Sequence, residues 1–189
     1  LQENGFLTSS AGILAFKKQE SPMKLTNYQN RDQKLPLFGI GPALIFVIAL
    51  LSLIGILLSK TCMRGGNVSG SFRILFDVLG IFFLLSGLLV WFFGAVKSDM
   101  DQYITTNRLK TDGIFAYTRN PMYAGWWFLL IAIMLFFHNV WLLPVIFLQW
   151  LVLTLVLVFT EETWLTKLYG EDYRHYCQRV NRFFPWKRK

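Results

Sequence analysis

Residues 122–160 read MYAGWWFLLIAIMLFFHNVWLLPVIFLQWLVLTLVLVFT, a stretch without a single Asp, Glu, Lys or Arg and with His138-Asn139 near its middle. About 20 consecutive apolar residues suffice for a helix to cross the hydrocarbon core of a bilayer. Residues 140–160 reach that length; residues 122–137, about 16 long, still cover most of the core at about 1.5 Å per residue. The stretch therefore reads as a helical hairpin in a membrane, with His138-Asn139 at its tip.

Working outward, residues 35–59 carry no charge and residues 74–96 carry only Asp77. Two further spans are expected there, giving an all-α, polytopic bundle of about four transmembrane helices. The composition agrees, at 54% hydrophobic and 16% charged residues. In such a chain the net charge of +8 reports orientation before it reports a partner. Lys and Arg gather before residue 35, in the loop at 97–119 and in the tail from Lys167 onward, all on one side of a four-span chain. The opposite side keeps only Lys60, Arg64 and Arg73, so the positive-inside rule places both termini in the cytosol. No nucleic-acid partner is expected. Cys62 and Cys177 fall on opposite faces and His138 is far from His175, so neither a disulfide nor a metal site is expected.

Residues 1–34 are polar and are expected to be a flexible N-terminal segment, with 1–22 set aside as leader or cloning-derived sequence and 35–189 as the membrane domain. Gly80, Gly87 and Gly94 recur every seventh residue of the second span, and Ser52, Gly55 and Ser59 share one face of the first. Such small-residue stripes let helices approach closely in lipid. Asp77 lies one turn after Arg73, where an i,i+4 pair would mute its charge. After the hairpin, Leu165, Tyr169, Tyr173, Tyr176 and Val180 describe an amphipathic helix expected at the membrane interface. Phe183, Phe184 and Trp186 among basic residues then suit contact with lipid headgroups.

The chemistry is expected around residues 109–123, LKTDGIFAYTRNPMY. Gly113 permits a turn with positive φ, Asn120 before Pro121 reads as a helix N-cap with proline in the first turn, and Arg119 sits at the water boundary. The hairpin's return arm of about 20 residues carries the chain about 30 Å back to the starting interface. Glu161-Glu162 should therefore face Arg119. Two carboxylates at the end of an apolar helix are costly unless they meet cations, so a cationic side chain or ligand is expected beside them.

The order Gly113-Ile114-Phe115, Arg119-Asn120-Pro121-Met122-Tyr123, an apolar hairpin, Glu161-Glu162 and Tyr169-Gly170-Glu171-Asp172-Tyr173 resembles the isoprenylcysteine carboxyl methyltransferase and phospholipid methyltransferase superfamily. The resemblance runs over about residues 107–185. It implies an integral membrane methyltransferase that uses S-adenosyl-L-methionine, with a lipophilic acceptor arriving from the bilayer. It also implies a cofactor pocket at Asn107, Arg108, Leu109, Lys110, Gly113, Phe115, Asn120, Pro121, Met122, Tyr123 and Glu161. Carboxylates and aromatic faces suit the donor's sulfonium and ammonium, and an arginine suits its carboxylate. Arg119 is then expected to orient the acceptor or the donor carboxylate, and Glu162 is the candidate base. Where the family motif commonly has Arg-His-Pro this chain has Arg-Asn-Pro, so no histidine-dependent step is carried over. Residues 155–159 likewise lack the arginine that prenylcysteine enzymes place before the glutamates. Two other readings compete: a membrane reductase of the sterol-reductase type using NADPH, and a non-enzymatic adaptor in which Arg119 and the glutamates only close a salt bridge.

Overall fold

A computed structural model describes residues 40–98 and 108–185. The N-terminal segment, the expected start of the first span at residue 35, Asn107 and the basic end from Trp186 lie outside them. Six α-helices follow in order: α1 (Gly41–Thr61), α2 (Ser71–Ala95), α3 (Pro121–Phe136), α4 (Leu143–Leu157), α5 (Thr163–Tyr169) and α6 (Glu171–Arg179). The fold is an all-α membrane bundle. α1, α2 and the continuous stretch Val140–Tyr169 are each long and apolar enough to span, and α3, at 16 residues, is the shorter arm.

The two small-residue stripes set the packing. α2 runs antiparallel to α3 along Gly80, Gly87 and Gly94. A Cβ on Gly87 would stand 3.0 Å from the backbone of Gly125 and Leu129, and one on Gly94 2.8 Å from Pro121, so the helices meet nearly backbone to backbone. On α1 the buried face is Gly41, Leu44, Ile48, Ser52, Gly55 and Ser59. It packs against both α3 and α4, and Leu44 and Ile48 enter one core with Tyr123, Trp127 and Ile131 of α3 and Leu153 and Leu157 of α4. α1 thus sits between the arms of the hairpin. A buried amide secures it: Gln149 Nε2 donates to the Ile48 carbonyl at 2.9 Å and to Ser52 Oγ at 2.6 Å.

The hairpin tip is tied to the α1–α2 loop. Asn139, 1% exposed, donates to the Met63 carbonyl at 3.0 Å and to Asn67 Oδ1 at 3.1 Å, and its own oxygen accepts the Trp141 backbone N–H at 2.9 Å. Here the expected partner of Asp77 is corrected. Asp77 reaches across to His138 Nε2 at 2.7 Å instead of pairing along its own helix with Arg73. The antiparallel run of α2 and α3 brings Asp77 level with the tip, where His138 takes a left-handed backbone, φ 51°.

At the other end, α4 does not stop at Thr160. It continues through a π-helical turn, Val158–Glu162, into α5 and breaks only at Gly170, whose φ of +56° favours glycine. The amphipathic stretch is therefore two helices, and its apolar face is satisfied by the protein itself. Tyr169, Tyr173, Tyr176 and Val180 form a buried cluster with Leu168, against which Leu109 and Trp164 pack. Phe183 is also inside, 2% exposed, instead of reaching for headgroups as expected, because Trp127 offers it a ring face at 5.8 Å.

Candidate active site

The site end of the bundle is built from the 108–120 loop, the start of α3, the π turn and a C-terminal strap at 180–184. The loop turns at Gly113, φ +58°, into a short helical turn, Gly113–Ala116. Phe115 is buried in it, and its carbonyl accepts the Tyr176 hydroxyl at 2.6 Å, which fixes α6 against the loop. Burial raises the Tyr173 and Tyr176 phenols well above the ordinary tyrosine range, so both stay neutral hydrogen-bonding groups.

The strap is stitched to the residues just before α3. Arg119 N–H donates to the Asn181 carbonyl at 2.9 Å, and the Arg182 carbonyl accepts Thr118 Oγ1 at 3.0 Å, Asn120 N–H at 3.2 Å and Asn120 Nδ2 at 3.2 Å. Asn120 does occupy the N-cap position with Pro121 following. Its side chain, however, makes no capping bond; its Nδ2 donates to the strap.

The two glutamates part company. Glu162 meets cations: Arg182 Nε at 2.5 Å and Nη2 at 2.9 Å engage its two oxygens, and Arg119 Nη2 lies 3.4 Å away. The Arg182 guanidinium is held even further above its usual range by that hydrogen bond. Glu161 accepts the Tyr123 hydroxyl at 2.5 Å and has no cationic partner among the described residues. The π turn assists this arrangement, since a wider turn rotates less per residue and keeps both carboxylates on the inward side. Arg119 is 8% exposed at its side chain, touches Cys177 Sγ through Nη1, and leaves Nε buried without an acceptor among the described residues.

The expected neighbours Arg119 and Glu162 are thus in contact, and Tyr123 and Glu161 are bonded to each other. Lys110, nearly buried, pairs with Asp112 at 2.9 Å, while Arg108 is exposed. Leu109 packs on the tyrosine cluster, Pro121 is buried against Gly94, and Met122 is 36% exposed. Sequence reasoning missed Arg182 and Cys177. The signal for the first was its place in the sequence, a basic residue beside the aromatic residues of the tail.

A family model described as phospholipid methyltransferase matches residues 73–172, just over half of the chain. Methanethiol S-methyltransferase 1 of Bradyrhizobium diazoefficiens is 33% identical over 91 residues, which cover 44% of this chain and 28% of that protein. The chain therefore spans less than a third of that relative's length. No solved structure matches. The match runs from the start of α2 through the hairpin, the π turn and its two glutamates to the beginning of α6, and on that ground the chain belongs to the phospholipid methyltransferase family.

Proposed function

We propose that the protein transfers a methyl group from S-adenosyl-L-methionine to a lipophilic or amphiphilic acceptor at the cytosolic face of the membrane. The observation that carries this reading is the uneven charge balance of the glutamate pair. Glu162 has two guanidiniums, and Glu161, half-buried beside it, has a phenol and no cation among the described residues. A carboxylate so placed suits a cationic ligand. An anionic dinucleotide would need spare cations, yet Arg119 and Arg182 already face Glu162.

The donor supplies an electrophilic methyl group when bound, and the chain's own task is to hold and align. Glu161, oriented by Tyr123, holds the positive end of the donor; Leu109, Lys110, Gly113 and Phe115 of the loop, with Arg108 and Asn120 to Tyr123, flank it. Arg119 orients the acceptor, using the buried Nε–H that lacks a partner. Glu162 takes a different role from the base its position suggested. With both oxygens on Arg182 it is a strut that fixes Arg119. Alignment in a water-poor site can supply much of the rate without an added base when the acceptor arrives as an anion. The name of the Bradyrhizobium relative puts thiols first among acceptors to try.

Calorimetry with S-adenosylhomocysteine, followed by transfer of labelled methyl groups to thiols, prenylated cysteine analogues and lipid fractions, tests the reading. Folded, monodisperse protein that binds no S-adenosylhomocysteine rules it out.

A further inference from the structure

Tyr123 and Trp127 stand one turn apart on α3, and their polar atoms have different fates. The Tyr123 hydroxyl is bonded to Glu161. The Trp127 indole N–H is buried and has no acceptor among the described residues, in a residue only 4% exposed. The indole is surrounded by rings: the centroids of Phe128, Phe183 and Phe184 lie 5.7, 5.8 and 5.9 Å from its own. Within a bilayer no water relieves such a donor, and a buried N–H without a partner calls for an explanation. One of the covering rings is poorly held. Phe184 is 51% exposed and lies against the rings of Trp127 and Phe128, at the end of the strap that begins with Val180 and Arg182.

We propose that the Trp127 N–H recognises a polar oxygen within the body of a lipophilic acceptor, and that the acceptor's chain takes the place of Phe184 against Trp127 and Phe128. The inference deepens the methyltransferase reading and rests on it. One helical turn sets the depth, so the recognised oxygen lies about 5 Å further into the membrane than the Tyr123 and Glu161 pair. The acceptor class is an apolar chain carrying an ester or amide carbonyl a few bonds beyond the atom that receives the methyl group. The rival account is an N–H to ring contact with Phe183, which would make Trp127 purely a packing residue.

Two thiols of similar length serve as probes, octyl mercaptopropionate with an ester carbonyl near the sulfur and dodecanethiol without one. Their affinities are measured by thermal shift on protein loaded with S-adenosylhomocysteine, for the wild type and for Trp127→Phe, which keeps an aromatic ring and removes the N–H. The wild type is expected to bind the ester about fivefold more tightly, the scale of one neutral hydrogen bond, and Trp127→Phe to bind both alike with its ligand-free melting temperature unchanged or raised. Equal affinities in the wild type, including no binding of either probe, overturn the inference. So does an ester advantage that survives in Trp127→Phe, or a large loss of ligand-free stability in that variant. Failure of the methyltransferase reading shows separately, as absence of S-adenosylhomocysteine binding before either thiol is added.

Discussion

Arg182 grips Glu162 with two parallel hydrogen bonds, Nε at 2.5 Å and Nη2 at 2.9 Å, across twenty residues of chain and a helix break at Gly170. Fork-to-fork pairing of this kind fixes orientation as well as distance. The same residue's carbonyl receives three donors from Thr118 and Asn120, so Arg182 joins the π turn to the start of α3.

Breaking this pair from one side leaves a mostly buried carboxylate with only Arg119 to meet it. Arg182→Met is expected to cost about 2–4 kcal/mol of stability, and the double variant with Glu162→Leu to recover a large part of it. Thermal unfolding in detergent measures both. A single variant as stable as the wild type would show that the pair contributes nothing to the strap.

Removing charge at Glu161 should act on the donor. Glu161→Gln is expected to weaken S-adenosylmethionine binding by about 1.5–3 kcal/mol, and Tyr123→Phe by less, since it deletes the orienting hydroxyl and leaves the carboxylate. Calorimetry gives both numbers. Unchanged affinity in Glu161→Gln would place the donor elsewhere.

Arg119→Ala is expected to abolish turnover while S-adenosylhomocysteine affinity stays within a few fold, in keeping with a contact to the acceptor. Unfolding has to be followed in parallel, because Glu162 loses a neighbour at 3.4 Å. Full turnover in the folded variant would reduce Arg119 to a structural cation.

The glycine stripe gives a packing prediction. A Cβ on Gly87 would meet the Gly125 carbonyl at 3.0 Å, and neither backbone can yield without parting α2 from α3. Gly87→Ala should cost about 1–3 kcal/mol and Gly87→Leu should yield no monodisperse protein. Size-exclusion profiles of the two variants provide the check.

Orientation is open to direct labelling. With Cys62 and Cys177 replaced, single cysteines at the exposed positions Arg64 and Arg108 are expected to react from opposite sides of the membrane, position 108 from the cytosol. Labelling of both from one side would end the four-span topology.

Much of this architecture is legible in the sequence because the bilayer imposes it. Uncharged runs must be helices, the glycine and serine stripes must face other helices, and the rise per residue returns Glu162 to the level of Arg119. What escaped has a common cause. Asp77 to His138, Asn120 to Arg182 and Arg119 to Cys177 are contacts between residues about 60 positions apart, and no periodicity encodes them. The π turn escaped for another reason. It is one inserted position where the apolar run meets Glu161 and Glu162, and the Thr163 hydroxyl that bonds the Val158 carbonyl at 2.8 Å across it is indistinguishable beforehand from a threonine on an ordinary helix.

The position of α1 between the hairpin arms bears on how the protein is made. Translation delivers α1 and α2 before the hairpin, so both helical neighbours of α1 are encoded about sixty residues or more after it ends. Until then α1 waits as a solitary span, its serine and glycine face against lipid tails. Only when Gln149 has entered the bilayer can its amide reach Ile48 and Ser52. The later-made hairpin therefore closes around the earlier-made α1, and a nascent chain released before α4 holds an inserted but unassembled α1, the form that membrane quality control would encounter.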